Sequence, residues 1–105
     1  MRIDDRFRGD TNPIVMYLIE VENGREKPLD IPTDVTSVKF HFKGDDGVVK
    51  EIVGTNGGAD GRIEFPFQED TADAGEYVYD VEVEYKSGQK VTFVRDIMEI
   101  KEDVG

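Results

Sequence analysis

Apolar and polar residues alternate along much of this chain. Thr36, Val38, Phe40 and Phe42 alternate with Ser37, Lys39, His41 and Lys43. A period of two places the first set on one face of a strand and the second on the other. The same period recurs over a longer stretch. Tyr77, Tyr79, Val81, Val83 and Tyr85 alternate with Val78, Asp80, Glu82 and Glu84. That pattern predicts a long strand with one buried face and one acidic, wet face. Ile63, Phe65 and Phe67 predict a shorter strand, and Val91, Phe93, Ile97 and Ile100 a last one. A first strand is predicted over Ile14 to Glu22.

The residues between these runs are turn formers. Asn23-Gly24 follows the first strand and is a strong hairpin signal. Gly44-Asp45-Asp46-Gly47 and Lys86-Ser87-Gly88-Gln89 each join two β-rich runs. Gly54 to Gly61 holds four glycines and predicts a mobile loop in which glycine supplies positive φ. Pro66 lacks an N–H, which predicts an edge or a bulge in its strand. Gln68 to Gly75 is the one predicted helical turn. The ends, 1–6 and 102–105, are expected to fray. Seven or so short strands with regular turns and no helical period predict a β-sandwich, with a barrel as the alternative.

One local motif narrows the class. Asp73-Ala74-Gly75-Glu76-Tyr77 opens the long strand, and its D-x-G-x-Y spacing resembles the tyrosine corner of immunoglobulin-like domains. Gly75 permits the corner, and the Tyr77 hydroxyl is expected to bond back to the backbone near Asp73. Immunoglobulin domains carry a disulfide cysteine two residues after that tyrosine; here the position is Tyr79. The chain has no cysteine, so packing must replace the bridge, with Phe40 as the expected partner of Tyr79. The prediction is an all-β, immunoglobulin-like sandwich of about seven antiparallel strands without a disulfide.

Composition sets bounds on function. The 105 residues suit a single domain, with 13 basic and 24 acidic side chains and a net charge of −11. Such a surface repels phosphates and anionic lipids, so neither nucleic acid nor membrane is an expected partner. Met1 to Arg6 has no apolar run behind it, and Ile14 to Ile19 is too short to span a bilayer. The expectation is a chain made in a cytoplasm without a cleaved signal.

Catalytic chemistry finds little to use. His41 is the one histidine and alternates with Phe40 and Phe42, so it is expected to face water. The only serines, Ser37 and Ser87, form no nucleophile elbow. Paired-carboxylate hydrolysis needs a cleft, and these carboxylates fall on outward faces and loops. No enzyme, catalytic residue or cofactor is therefore expected. Asp4, Asp5, Asp10, Asp45, Asp46, Asp60, Asp70 and Asp73 are loop or terminal carboxylates that a calcium site would draw on. No complete calcium loop is present, and aspartate also favours turns, so calcium is not expected. Gly54 to Gly61 lacks the lysine of a phosphate cradle, and Arg8-Gly9-Asp10 is a tripeptide common by chance.

What remains is surface. Asp80, Glu82 and Glu84 form an acidic stripe, with Glu20 and Glu22 expected on a neighbouring strand. The stripe serves solubility or docks a basic partner. Thr55, Asn56 and Asp60, in the glycine loop, are further candidate contacts, and an exposed strand edge is another route to a partner. Tyr17 and Phe7 are the aromatics expected to be exposed, which a carbohydrate-binding module would need.

The order of features resembles one family. Arg8-Gly9-Asp10-Thr11-Asn12-Pro13-Ile14 leads into the first strand, and Leu29-Asp30-Ile31 precedes Val35-Thr36-Ser37-Val38-Lys39-Phe40. Asp46-Gly47, Gly61-Arg62-Ile63-Glu64-Phe65, Asp70-Thr71, Gly75-Glu76-Tyr77 and Ser87-Gly88 follow. From about Gly9 to Ile100 the chain resembles the immunoglobulin-like N-terminal domain of baseplate upper proteins of tailed phages, and related virion modules. The resemblance implies a non-catalytic structural or adhesion module of a phage particle: head decoration, neck, tail or baseplate. Its implied partners are other virion proteins or copies of itself. Family members continue into a linker and further domains, whereas this sequence ends at Gly105. A standalone virion protein and a domain cut from a longer one are both compatible with that ending. A carbohydrate-binding or cell-surface adhesion sandwich is the alternative.

Overall fold

The computed structural model describes residues 12–67 and 73–101, and the backbone of 6–7. The strands are β1 (Arg6–Phe7), β2 (Ile14–Tyr17), β3 (Ile19–Glu22), β4 (Arg25–Pro28), β5 (Val35–Lys43), β6 (Val49–Val53), β7 (Arg62–Phe65), β8 (Gly75–Tyr85) and β9 (Lys90–Lys101). Five of them pair in the order β1-β9-β8-β5-β6. β2 pairs with β7, and β3 with β4. Leu18 ties these two ladders into one layer. Its N–H donates to the Gly61 carbonyl at 2.9 Å, and its carbonyl accepts from Leu29 N at 3.0 Å.

The molecule is an all-β sandwich. The ladder β9-β8-β5-β6 packs against the β2-β7 ladder across the core. The five-stranded ladder ends at β1 and β6 and does not close on itself, so the barrel alternative is set aside. One pairing departs from the antiparallel expectation: β1 runs parallel to β9.

The inner faces meet through aromatic rings. Phe40 of β5 lies 5.3 Å from Phe65 of β7, and Phe42 stacks on Phe67 at 6.0 Å. Tyr79 stacks on Phe40 at 5.1 Å with 18° between the rings. This is the contact expected at the missing disulfide position, but Phe40 sits on the adjacent strand of the same sheet. From there it passes the contact to the second layer through Phe65. Offset aromatic pairs of this kind add about 1 kcal/mol each beyond the area they bury.

The long strand opens with the expected corner. The Tyr77 hydroxyl donates to the Asp73 backbone carbonyl at 2.8 Å. Gly75 has φ +150°, a conformation that side chains rarely adopt. Burial pushes the Tyr77 hydroxyl pKa up, and the carboxylates of Asp73, Asp46 and Asp45 push it the same way.

Several local expectations are corrected. Thr36 is exposed and Val35 buried, because a register shift between Val35 and Ser37 reverses the phase of β5 at its start. A second shift, beside Phe93, lets Val94, Met98 and Ile100 face inward, which turns Ile97 to solvent. Pro66 does not interrupt its strand: β7 has a ladder on one side only, as the edge expectation has it, and stops at Phe65, before the proline. The helical turn is Ile31–Asp34, where Asp30 caps Thr33 N at 3.3 Å and Pro32 lies in the first turn. The helical turn expected over Gln68 to Gly75 lies in part outside the described residues, and β8 starts at its last position. Among the fraying expectations, Arg6 pairs with Ile100, and the other positions lie outside the described residues.

The glycine loop is not a free loop. Thr55 and Glu64 exchange backbone hydrogen bonds at 2.8 and 3.0 Å, and Gly58 bonds to both Arg62 and Ile31. Of its four glycines, Gly61 alone has positive φ, at +84°. Gly57 answers to space instead, since a Cβ there would come within 2.4 Å of Ile31. These glycines are demanded by close approach, not by mobility.

Candidate interaction surfaces

The second layer presents apolar side chains to solvent. Ile14 and Met16 of β2, and Leu18 at the break before β3, point into the core, so the residues alternating with them point out. Val15, Tyr17, Ile19 and Val21 are 39, 56, 50 and 71% exposed. They form a line of about 20 Å along the layer. Its cross-strand neighbours are Glu64, Arg62, Pro28 and Glu26, so the line is rimmed by charge. Among the described residues Tyr17 is the one aromatic side chain that stands exposed. The coplanar aromatic pair of a sugar-binding platform is therefore not formed there, and Phe7's side chain lies outside the described residues.

The loop candidates flank this line. Arg62 holds Glu64 at 3.1 Å, and Asn56 donates to the other Glu64 oxygen at 2.5 Å. The Asn56 bond, then Arg62, holds the Glu64 carboxyl below its ordinary value. Asp60 caps Arg62 N at 3.1 Å, so its carboxylate closes a turn. Thr55 is spent on the ladder with Glu64.

Asp80, Glu82 and Glu84 lie elsewhere, on the outer face of the five-stranded sheet. The structure does not bring them together with Thr55, Asn56 and Asp60. Nor do they form a bare acidic stripe. All three are half-buried, and the register sets Arg95 beside Asp80, Lys39 beside Glu82 and Lys90 beside Glu84. Glu20 and Glu22 are not on a neighbouring strand but on β3, in the other layer. Glu20 accepts the Tyr85 hydroxyl at 2.9 Å. Burial, and then that bond, pushes the Tyr85 pKa up to about 12. Lys27 reaches Glu22 at 3.4 Å and Glu20 at 3.7 Å. Beside them Ile19, Val21, Tyr85, Val91 and Phe93 line an open groove of about 430 Å³.

His41 also lies on the outer face, but is enclosed more than expected. Its Nδ1 is 3.1 Å from Asp80 and its Nε2 is 3.2 Å from Glu51. The carboxylates sit on opposite ring nitrogens and so do not converge on a common point. Among the described residues no three His, Asp or Glu side chains do. Of the calcium candidates, Asp46 caps Val48 N at 3.0 Å, and Asp45 shares that loop. Asp4, Asp5, Asp10 and Asp70, with the Arg8-Gly9-Asp10 tripeptide, lie outside the described residues. Among the described residues no helix is long and apolar enough to cross a membrane.

Tyr17 was legible as an exposed aromatic. Ile19 and Val21 were not singled out, although they alternate with Glu20 and Glu22. The run Ile14 to Ile19 is apolar on both faces, so its phase shows only once Leu18 is seen buried. Comparison with protein-family models, with characterised proteins and with solved structures gave no match.

Proposed function

We propose that this chain is a non-catalytic docking module of a tailed-phage particle, binding another virion protein through the outer face of β2 and β3. The line Val15, Tyr17, Ile19 and Val21 carries the reading. Four adjacent side chains of this size left in water are poor for solubility and well suited to an interface. The phage setting rests on the sequence resemblance alone. The rim carries Glu26 and Glu64, with Arg62 already held by Glu64, and on a chain of net charge −11 it calls for a partner whose apolar patch is edged by basic residues.

The magnitude favours a module used in many copies. Completing the burial of the four side chains yields roughly 4 kcal/mol, at about half the full transfer value of each. Association alone costs about that much or more. One such contact is weak, and a lattice of copies supplies the missing affinity as avidity.

The test uses particles purified from a lysate of the encoding organism. The chain should co-sediment with them, and a photoreactive phenylalanine analogue at position 17 should cross-link it to a second virion protein. Val21→Glu should lower its incorporation several-fold. A chain that stays wholly in the supernatant overturns the phage setting. Incorporation indifferent to Val21→Glu overturns the assigned surface.

A further inference from the structure

The outer face of the five-stranded sheet has an order of its own, independent of the β2–β3 surface. Across β9, β8, β5 and β6 the register sets its outward side chains in rows. One row is Ile97, Val78, Lys43, Val49; the next is Arg95, Asp80, His41, Glu51; the third is Thr92, Glu82, Lys39, Val53. These twelve positions carry three acidic residues and three Lys or Arg, on a chain whose net charge is −11. Apolar side chains stand at their margins: Val49, Val53, Val78 and Ile97 are 61, 52, 51 and 40% exposed.

From this we infer that the face binds a second copy of itself, about a two-fold axis parallel to the strands and midway between β8 and β5. Such an axis lays β9 of one copy over β6 of the other, and β8 over β5. Arg95 then meets Glu51 of the second copy, and Glu82 meets Lys39. Asp80 meets His41, Ile97 meets Val49, and Val78 meets the aliphatic stem of Lys43. No like charges oppose in any row. The other in-plane two-fold, across the strands, sets Asp80 against its own copy and Lys39 against Lys43. The pattern therefore selects one arrangement and penalises the other.

The surplus negative charge lies away from this face. At about 0.1 M salt, with a screening length of about 10 Å, repulsion between the remote charges is damped while contact pairs persist. Strands about 4.8 Å apart and rows about 6.8 Å apart, with Glu84 and Lys90 continuing the pattern, give a face of roughly 500 Å². Two such faces bury roughly 1,000 Å², the lower bound for a specific interface. The dimer should thus be weak, forming over tens to hundreds of micromolar.

Sedimentation equilibrium of the purified chain from 5 to 500 μM tests this. The mass should rise from 11.9 kDa toward twice that value. Arg95 and Glu51 are three strands apart, about 14 Å within one copy, and touch only through the proposed dimer. Arg95→Glu and Glu51→Arg should therefore each weaken self-association by about tenfold or more. Mixed together they should form a one-to-one heterodimer, since the altered pair is complementary again. A wild-type chain that stays monomeric to 500 μM overturns the inference without any variant. Variants that fold and associate like the wild type, or that fail to rescue each other, also overturn it. None of these outcomes depends on the phage setting or on the β2–β3 surface.

Discussion

At the scale of single residues, the hydroxyls of Tyr77 and Tyr85 show how this sandwich secures its ends. Tyr77 donates to the Asp73 carbonyl, and Tyr85 donates to Glu20, joining β8 of one layer to β3 of the other. The second bond has a signature in pH. Burial first, and the Glu20 carboxylate second, push the Tyr85 pKa from the ordinary 10.0 to about 12. The folded state therefore keeps a proton that the unfolded chain loses above about pH 10. Its contribution is whole below that pH and is lost as pH rises through about 12. Tyr77 is shifted in the same direction. Urea midpoints should fall between pH 9 and pH 11.5, and fall less in Tyr85→Phe than in the wild type. Equal falls in the two proteins would mean that Tyr85 does not hold its proton across the layers.

At the scale of elements, the glycine loop behaves as a clasp. Gly61 lies against the break between β2 and β3, where its carbonyl accepts from Leu18 N. A Cβ at that position would stand 2.2 Å from the Leu18 carbonyl oxygen, on a backbone at φ +84°. Neither atom belongs to a flexible side chain, so relief requires the strand to move. Gly61→Ala should therefore cost about 3 kcal/mol or more by urea unfolding. Gly24→Ala, in an open hairpin turn with nothing within 4 Å, should cost about 1 kcal/mol. Similar losses at the two sites would return the loop to the mobile segment its composition suggests. The contrast marks what the sequence made legible. Alternation located β5, β8 and β7, the turn residues located three hairpin loops, and D-x-G-x-Y located the corner. Each of these signals is local. The tethering of the loop, the Leu18 break, the phase reversals at Thr36 and Phe93 and the rows of the outer face depend on which strands pair and in what register. The pairings of β2 with β7 and of β5 with β8 join residues 35 to 51 positions apart, and alternation within one strand carries no information about them. The candidate contacts show the same limit. Asp80, Glu82 and Glu84 were correctly placed outward, but the cations beside them come from other strands.

At the scale of the whole molecule, charge opposes compaction. A net −11 on 105 residues is a large surplus for so small a body. Within the described residues part of it is compensated locally, as by Lys27 with Glu22 and Glu20, Arg62 with Glu64, and Lys39 with Glu51 at 4.0 Å. These pairs lie at the surface, where each contributes little and is itself weakened by salt. The repulsion among the remaining carboxylates acts over longer distances and is screened more completely. Raising salt from about 10 mM to 300 mM shortens the screening length from about 30 Å to about 6 Å, so the long-range term vanishes while close pairs are only reduced. The chain should therefore be more stable in salt, by about 1 kcal/mol in urea, when kept dilute enough to stay monomeric. A midpoint that falls with added salt would mean that the local pairs outweigh the surplus. The rise would mean that the acidic shell keeps copies apart everywhere except at a face where charge is balanced, and the outer face of the five-stranded sheet is such a place.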